Sequence, residues 1–463
     1  GPVGLAPPHW IRSPPSDSSV VTPCCVRLAA RRQNGEPVAT VAIVASQISS
    51  KRRQATALAG GLERAGHRVI LIDRPGAPEA PPHERVVLDL RPVLDVPLPG
   101  IRLLAEPRAR RAAARSLRVD AVADLLVAER VDLAVVDIEE HEFTIAALAS
   151  GVDVPLAVLS CFFELWPAVD VPPLSSPLPP DAGAVRVVWA WLRNWVGARR
   201  RELRRRGRGE GLDRYAVVRT CARQHGVRGS FTARQWLHPF APRTIPVLSA
   251  TAAELDLPHR APAHVHRIGP LLDADVSDPI GDGADLVEAA DAARHDGRPV
   301  VLCVSGAFAA AGGPFLARLG EVARLRPDLA FFVATGDDDP GLLATLPNVW
   351  SRPWVPQRAL LERTQVAIIH AGTGTLHECV TAGVPMVVYP LAADHTGNAV
   401  RVTHHGLGEL GDRDDDPATI AARLDRVLAD AAVHRRAAAL GERVRRYARD
   451  DVAVATVEAL LAG

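Results

Sequence analysis

Between Gln365 and Pro385 the sequence reads QVAIIH-AGTGT-LHECVTAGVP. An apolar run stops at His370, small residues follow through Gly372, Gly374 and Thr375, and a helical pattern begins. Small side chains let backbone N–H groups approach a phosphate, and a helix N-terminus brings about half a positive charge to it. His370 can add a hydrogen bond to phosphate, and Glu378, one turn on, has the reach to accept from both hydroxyls of a ribose. An ordinary strand–turn–helix with glycines for tight packing would read the same. The stretch gains meaning from its flanks, WVPQ (Trp354 to Gln357) upstream and PLAADHTGNAVR (Pro390 to Arg401) downstream.

A second group of reactive side chains lies in the first half. The run VDLAVVD ends at Asp137 and is followed at once by Glu139, Glu140, His141 and Glu142. This is a titratable cluster at a strand's carboxyl end, where a catalytic base or an acceptor-binding group such as Glu140 could sit. A solvated acidic loop with helix-capping carboxylates is the alternative. Lys51 is the only lysine among 54 basic residues, and a GC-rich genome explains the arginine bias without explaining where that lysine sits. Three readings of it stay open: a base, if its pKa is depressed; a charge partner of Asp137; or, within Ser50-Lys51-Arg52-Arg53, a binder of an anionic acceptor. Phe162, Phe163 and Trp166 add apolar surface after the strand VPLAVLS. Trp189, Trp191 and Trp195 precede seven arginines between Arg199 and Arg208. That segment reads as an amphipathic helix packed on a sheet, then as a cover for an acceptor pocket through Trp191, then as a peripheral membrane contact.

The elements that must hold these residues are legible in outline. Strands alternate with helices in both halves, each strand an unbroken apolar run, which predicts an α/β protein with parallel sheets covered on both faces. A length of 463 residues predicts two or three domains. Residues 1–37 read as a loose arm, 38–263 as one Rossmann-like domain and 264–283 as a Gly/Pro/Asp-rich linker. A second Rossmann-like domain is expected over 284–440, with 441–463 helical. Pro167–Pro180 predicts a long loop. The 54 Lys+Arg nearly balance 53 Asp+Glu, which argues against a nucleic-acid partner. The six cysteines show no paired framework, which predicts a cytoplasmic protein. No leader is read at GPVGLAPPHW, and Gly1-Pro2 looks like a protease scar.

At WVPQ, HAGTGTLHE, GVP and PLAADH, spaced over about fifty residues, the chain resembles the family 1 nucleotide-sugar glycosyltransferases. Their donor signature is W-x-P-Q, H-x-G-x-x-[ST]-x-x-E, G-V-P and P-x-x-x-D-Q. The resemblance implies the GT-B fold, two Rossmann-like domains facing a central cleft, with the terminal helix crossing back to the first. It implies that Trp354 stacks on the base and Gln357 touches the nucleoside. His370, Gly372, Gly374 and Thr375 would hold the diphosphate, Glu378 the ribose and Asp394 the donor sugar. Ser305 and Gly306 match the family's phosphate-side loop loosely. His395 stands where the family most often has the Gln that helps choose the sugar. A ribose-reading Glu378 favours a UDP-sugar co-substrate, with no cofactor and no metal site.

The first half departs from the family. Members usually carry Gly-His before the first helix, the His being the base; here that slot is Ser50-Lys51, and no histidine occurs between His9 and His67. Asp137 or His141 is therefore expected as the base, with Lys51 orienting the acceptor. VPP at Val171–Pro173 resembles the zeaxanthin glucosyltransferase-like branch, whose acceptors are lipidic alcohols. The expected activity is an inverting transferase for a small-molecule, anionic or lipidic acceptor in antibiotic or other secondary-metabolite biosynthesis. The alternatives are a catalytically altered binding or auxiliary protein and a nucleotide-sugar 2-epimerase of the same fold.

Overall fold

The computed structural model describes residues 38–77, 83–90, 102–163, 168–208, 214–227, 245–272, 283–304, 313–336, 338–343, 345–391 and 394–463. The sequence's arm, 1–37, lies outside the described residues. The first unit runs β1 (Thr40–Val44), α1 (Ser49–Arg64), β2 (Arg68–Asp73), β3 (Glu84–Val87), α2 (Arg102–Arg115), α3 (Val119–Ala128), β4 (Leu133–Asp137), α4 (His141–Ser150), β5 (Leu156–Ser160), α5 (Ala184–Arg208), α6 (Arg214–Gln224), β6 (Val247–Ser249) and β7 (Val265–Arg267). The second runs α7 (Ala284–His295), β8 (Val300–Val304), α8 (Gly313–Leu325), β9 (Ala330–Ala334), β10 (Val349–Arg352), α9 (Gln357–Leu361), β11 (Val366–Ile369), α10 (Thr373–Ala382), β12 (Met386–Val388), α11 (His395–His404), β13 (Gly408–Leu410), α12 (Pro417–Ala429), α13 (Ala431–Arg449) and α14 (Val452–Ala462).

Both sheets are parallel, in the orders β3-β2-β1-β4-β5-β6-β7 and β10-β9-β8-β11-β12-β13. Their inner strands are apolar on both faces because both faces are covered. Val41 and Ile43 point into one core, while Ala42 and Val44 point into the other. In β8, Val301 and Cys303 face one side and Val300, Leu302 and Val304 the opposite side. The strand order reverses between β1 and β4 in the first sheet and between β8 and β11 in the second. Ligands of such sheets bind at these reversals, outside the carboxyl ends of the strands. Lys51 follows β1, Asp137 ends β4 and His370 follows β11, so topology alone brings the chemical groups to the two crevices.

Two boundaries differ from the sequence reading. Val265–Arg267, expected in the linker, is an edge strand paired with β6. It is three residues long and lacks an apolar run, so periodicity could not mark it. Residues 273–282 lie outside the described residues. The expected junction at 440/441 falls inside α13; the chain bends instead at Asp451, which takes a left-handed φ of 45°. Beyond it α14 lies on the first unit, with Val457 and Leu461 in a core with Val41, Leu58 and Leu62. Glu458 Oε1 meets His67 Nε2 at 3.3 Å.

The units share a core as well. Phe163, Leu174, Ala252 and Leu255 of the first pack with the α7, α10 and α11 side of the second. A buried ion cluster reinforces the seam. Arg401 Nε of α11 donates to Asp256 Oδ1 at 3.0 Å, and Arg267 of β7 donates to the other Asp256 oxygen. The backbone N–H of Gly397 donates to Leu174 O at 2.6 Å, and a Cβ on Gly397 would meet that Leu174 backbone at 2.6–3.0 Å.

Candidate active site

The second unit supplies a cradle. Helix α10 starts at Thr373 after an N-cap, Gly372, that gives no side-chain hydrogen bond, so its first turn presents backbone N–H groups to a ligand. Ala371 is forced to φ 63° to make this turn. His370 Nδ1 donates to Val304 O at 3.2 Å, and its Nε2 sits where a Cβ on Gly372 would come, 2.4 Å away. Only glycine leaves room for that imidazole over the helix start. Burial lowers the His370 pKa, with the Val304 carbonyl and Asp394 acting against it. Gly374 and Thr375 are half-buried in the first turn. At the far end Gln357 Nε2 donates to Glu378 Oε2, which joins the two residues expected at the nucleoside. Trp354 is 38 % exposed, so its indole is a free-standing face and not core.

Asp394 precedes α11 and is held in place. Its Oδ2 accepts from Thr373 Oγ1 at 2.6 Å and from Asn398 Nδ2 at 2.7 Å. The same Asn398 amide reaches Ala371 O at 2.8 Å, which ties the Asp394 carboxylate to the turn before α10. His395 is buried, its ring 4.8 Å from that of His370. Burial, then the neighbouring His370, pushes His395 down to about 4, against the opposing pull of Asp394. Ser305 and Gly306 lie outside the described residues.

The first unit answers with a buried charge group. Asp137 is 3 % exposed, and its Oδ1 accepts the Glu139 N–H at 2.9 Å. Burial raises its pKa to about 7, against the lowering influence of Lys51 and of that backbone N–H. Lys51, in the first turn of α1, is buried and donates to Glu139 Oε1 at 2.8 Å, with Phe162 beneath its ammonium at 4.6 Å. Burial pulls its pKa down, but the anionic forms of Cys161, Asp137 and Glu139 outweigh this and leave it raised. Lysine is therefore a fixed cation here. Its hydrogen bond goes to Glu139, and Asp137 acts on it only through charge.

Other expected acceptor residues are engaged elsewhere. Glu140 is buried and accepts from Arg74 Nε at 2.6 Å, as half of an internal ion pair. Arg52 is likewise spent, on Asp73 at 2.8 Å. Phe163 belongs to the seam between the units, its ring 4.3 Å from the Arg401 guanidinium, and is not open acceptor surface. Trp191 is buried, its Nε1 donating to Val171 O at 2.9 Å, which pins α5 to the Pro-rich loop. His141 is buried at the start of α4. The side chain of Ser50 and all of Trp166 lie outside the described residues.

Sequence reasoning left three neighbours of these groups without a role of their own. Glu139, not Asp137, is the direct partner of Lys51. Asn398 stands four residues after Asp394 on one helix, a spacing that could have revealed it. Cys161, buried after β5, feels Lys51 and Asp137 from its own unit and Asp394 from the other. Burial, the largest influence on it, holds its thiol up at about 12. Among the described residues no group of three or more His, Cys, Asp or Glu side chains is arranged to hold a metal ion.

Residues 318–455 match the family model of the erythromycin biosynthesis protein CIII-like C-terminal domain. The demethyllactenocin mycarosyltransferase of Streptomyces fradiae is 29% identical over 169 residues, 36% of this chain and 37% of that one. The UDP-glucuronosyltransferase 3A1 of Xenopus laevis is 35% identical over 77 residues, 16% of this chain and 15% of that one. The matched segments thus span well under two thirds of either relative. The crystal structure of the glycotransferase of kitacinnamycin superposes with a TM-score of 0.66 at 21% identity, covering 91% of this chain and 99% of that one. The fold is GT-B, and the chain is similar to glycosyltransferases of the bacterial natural-product branch, the family-model match lying in its second half.

Proposed function

We propose that this chain is an inverting glycosyltransferase that moves a sugar from a nucleoside diphosphate, uridine favoured, to a small-molecule natural-product acceptor without a required metal cation. What carries the reading is the presence of two complementary groups, one in each unit. In the second stand the uncapped start of α10, His370 and the Asp394–Thr373–Asn398 network; in the first stands Asp137 beside a fixed cation. Glu378 supports uridine over thymidine, because a carboxylate at the ribose gains from two hydroxyls. The names of the relatives, a mycarosyltransferase and a UDP-glucuronosyltransferase, support sugar transfer in general.

In this mechanism Asp137 takes the acceptor's proton as its oxygen or nitrogen attacks the anomeric carbon. The bond from that carbon to the diphosphate breaks on the opposite face. The electrons leave with the diphosphate, whose charge is met by the α10 N–H groups and by His370. Lys51 keeps Asp137 ionised near neutrality, a different division of labour from a histidine base. Acceptors screened against several nucleotide sugars by mass spectrometry should show transfer, or slow donor hydrolysis, that Asp137→Asn abolishes. Donor binding without any turnover across that screen would instead make the chain a binding protein. Glu378→Ala should weaken nucleotide affinity by ~1.5–3 kcal/mol for each charge-assisted hydrogen bond lost. Unchanged calorimetric affinity in both Glu378→Ala and His370→Ala would remove the donor site from this position.

A further inference from the structure

The donor and acceptor assignments leave one large feature unused, the 25-residue helix α5. Its inner side is anchored by Val187 and Trp191, both buried. On the opposite side Val185, Val188, Trp189, Leu192, Val196 and Leu203 recur at helical spacing and form one straight apolar stripe. The protein leaves this stripe open: Val185 is 72 % exposed, Trp189 61 % and Leu203 61 %. Arg186, Arg193, Arg200 and Arg204 fall along one edge of it, all exposed. From Val185 to Leu203 the stripe runs roughly 27 Å, at the usual rise per residue.

We propose that α5 lies on an anionic bilayer surface, with its apolar stripe among the acyl-chain ends and its arginines at the phosphates. The helix carries nine arginines and one acid, so the occupant must be negative. Residues 1–37 do not complement it, since Arg12, Arg27, Arg31 and Arg32 outnumber Asp17 and Glu36 there. A stripe that is straight, narrow and edged by arginine suits a plane better than a groove. No described helix is long and apolar enough to cross a membrane, so the contact is peripheral. Through Trp191 the helix is pinned to the Pro-rich loop, and that loop's Leu174 contacts α11 behind Asp394. Docking would therefore hold the acceptor-side unit, and the seam beside the candidate active site, close to the lipid.

Co-sedimentation of the full chain with phosphatidylcholine vesicles, with and without phosphatidylglycerol, tests the proposal. Selective, salt-sensitive binding to the anionic vesicles is expected. It should fall at least about ten-fold in Val188→Ser/Trp189→Ser/Leu192→Ser and in Arg186→Gln/Arg193→Gln/Arg200→Gln/Arg204→Gln. Thermal melting and nucleotide affinity should be unchanged in both, because the altered side chains are exposed and remote from the cradle. No preference for anionic vesicles, or binding by the two variants as strong as that of the unaltered chain, overturns the proposal. So does self-association in sedimentation velocity that the triple variant abolishes, which would give the stripe to a second copy of the chain.

Discussion

At the residue scale the protonation states follow from what each ring or carboxylate touches. His370 commits Nδ1–H to the Val304 carbonyl, so a neutral ring offers only a lone pair at Nε2 toward the cradle. A phosphate there needs a donor, and its charge favours the imidazolium. Nucleotide binding near pH 7 should therefore take up close to one proton, seen as a dependence of the calorimetric heat on buffer ionisation enthalpy; His370→Gln should lose it. Gly372→Ala should cost at least about ten-fold in affinity by displacing the same ring. For Asp137 at about 7, the ionised base is present above that pH and lost below it, so kcat/KM should fall on acidification through neutrality. Removing the nearby cation in Lys51→Ala raises the carboxyl pKa further and moves that limb to higher pH. Asp137→Asn should lower kcat by roughly 10²–10⁴-fold. A pH profile unmoved by Lys51→Ala would break the link between them.

At the element scale, α10 and α11 each bury a neutral histidine. His377 is pushed down to about 4 by burial, with Arg267 and Arg401 adding to it, and His395 lies at about 4 for the reasons given above. An unfolded histidine titrates near 6.5, so between about 6.5 and 4 the unfolded chain binds more protons than the folded one. The stabilisation is complete above about pH 6.5 and declines as pH falls toward 4. Melting temperature should drop on acidification from pH 7 to pH 5, and His395→Gln should flatten that slope. The strands and helices that carry the two crevices were legible because their apolar runs are unbroken and end at His370 and Asp137. The short strands β3, β6, β7 and β13 were not, because three or four residues at or next to a sheet's margin leave no pattern. Likewise the sequence marked Lys51 by its rarity, yet its partner Glu139 is set by how two loops meet after β1 and β4, which spacing does not encode.

At the scale of the whole molecule the two units are bound by a core, a terminal helix and a buried ion cluster. Burial works against ionised Asp256, but Arg401, Arg267 and His259 prevail and hold its pKa below the usual carboxylate range. Asp256→Ala would strand the Arg401 guanidinium without its carboxylate, a loss of ~3–5 kcal/mol, and should merge poor stability with poor donor-sugar recognition. Asp256→Glu should recover part of both. Chemical denaturation alongside donor titration measures the two effects on one sample. The contact of Gly397 with Leu174 bears on another matter, the recombination of halves. In the proposed function helix α11 would present Asp394 to the donor sugar, yet its register is set by a loop of the first unit, at a point where no Cβ fits. A hybrid joining this chain's second half to a foreign first half would inherit the signature residues and still misplace the sugar carboxylate. Donor specificity in this scaffold is thus heritable only as a matched pair, and grafts that carry residues 168–180 and Asp256 along with the second half should succeed where a cut in the linker fails.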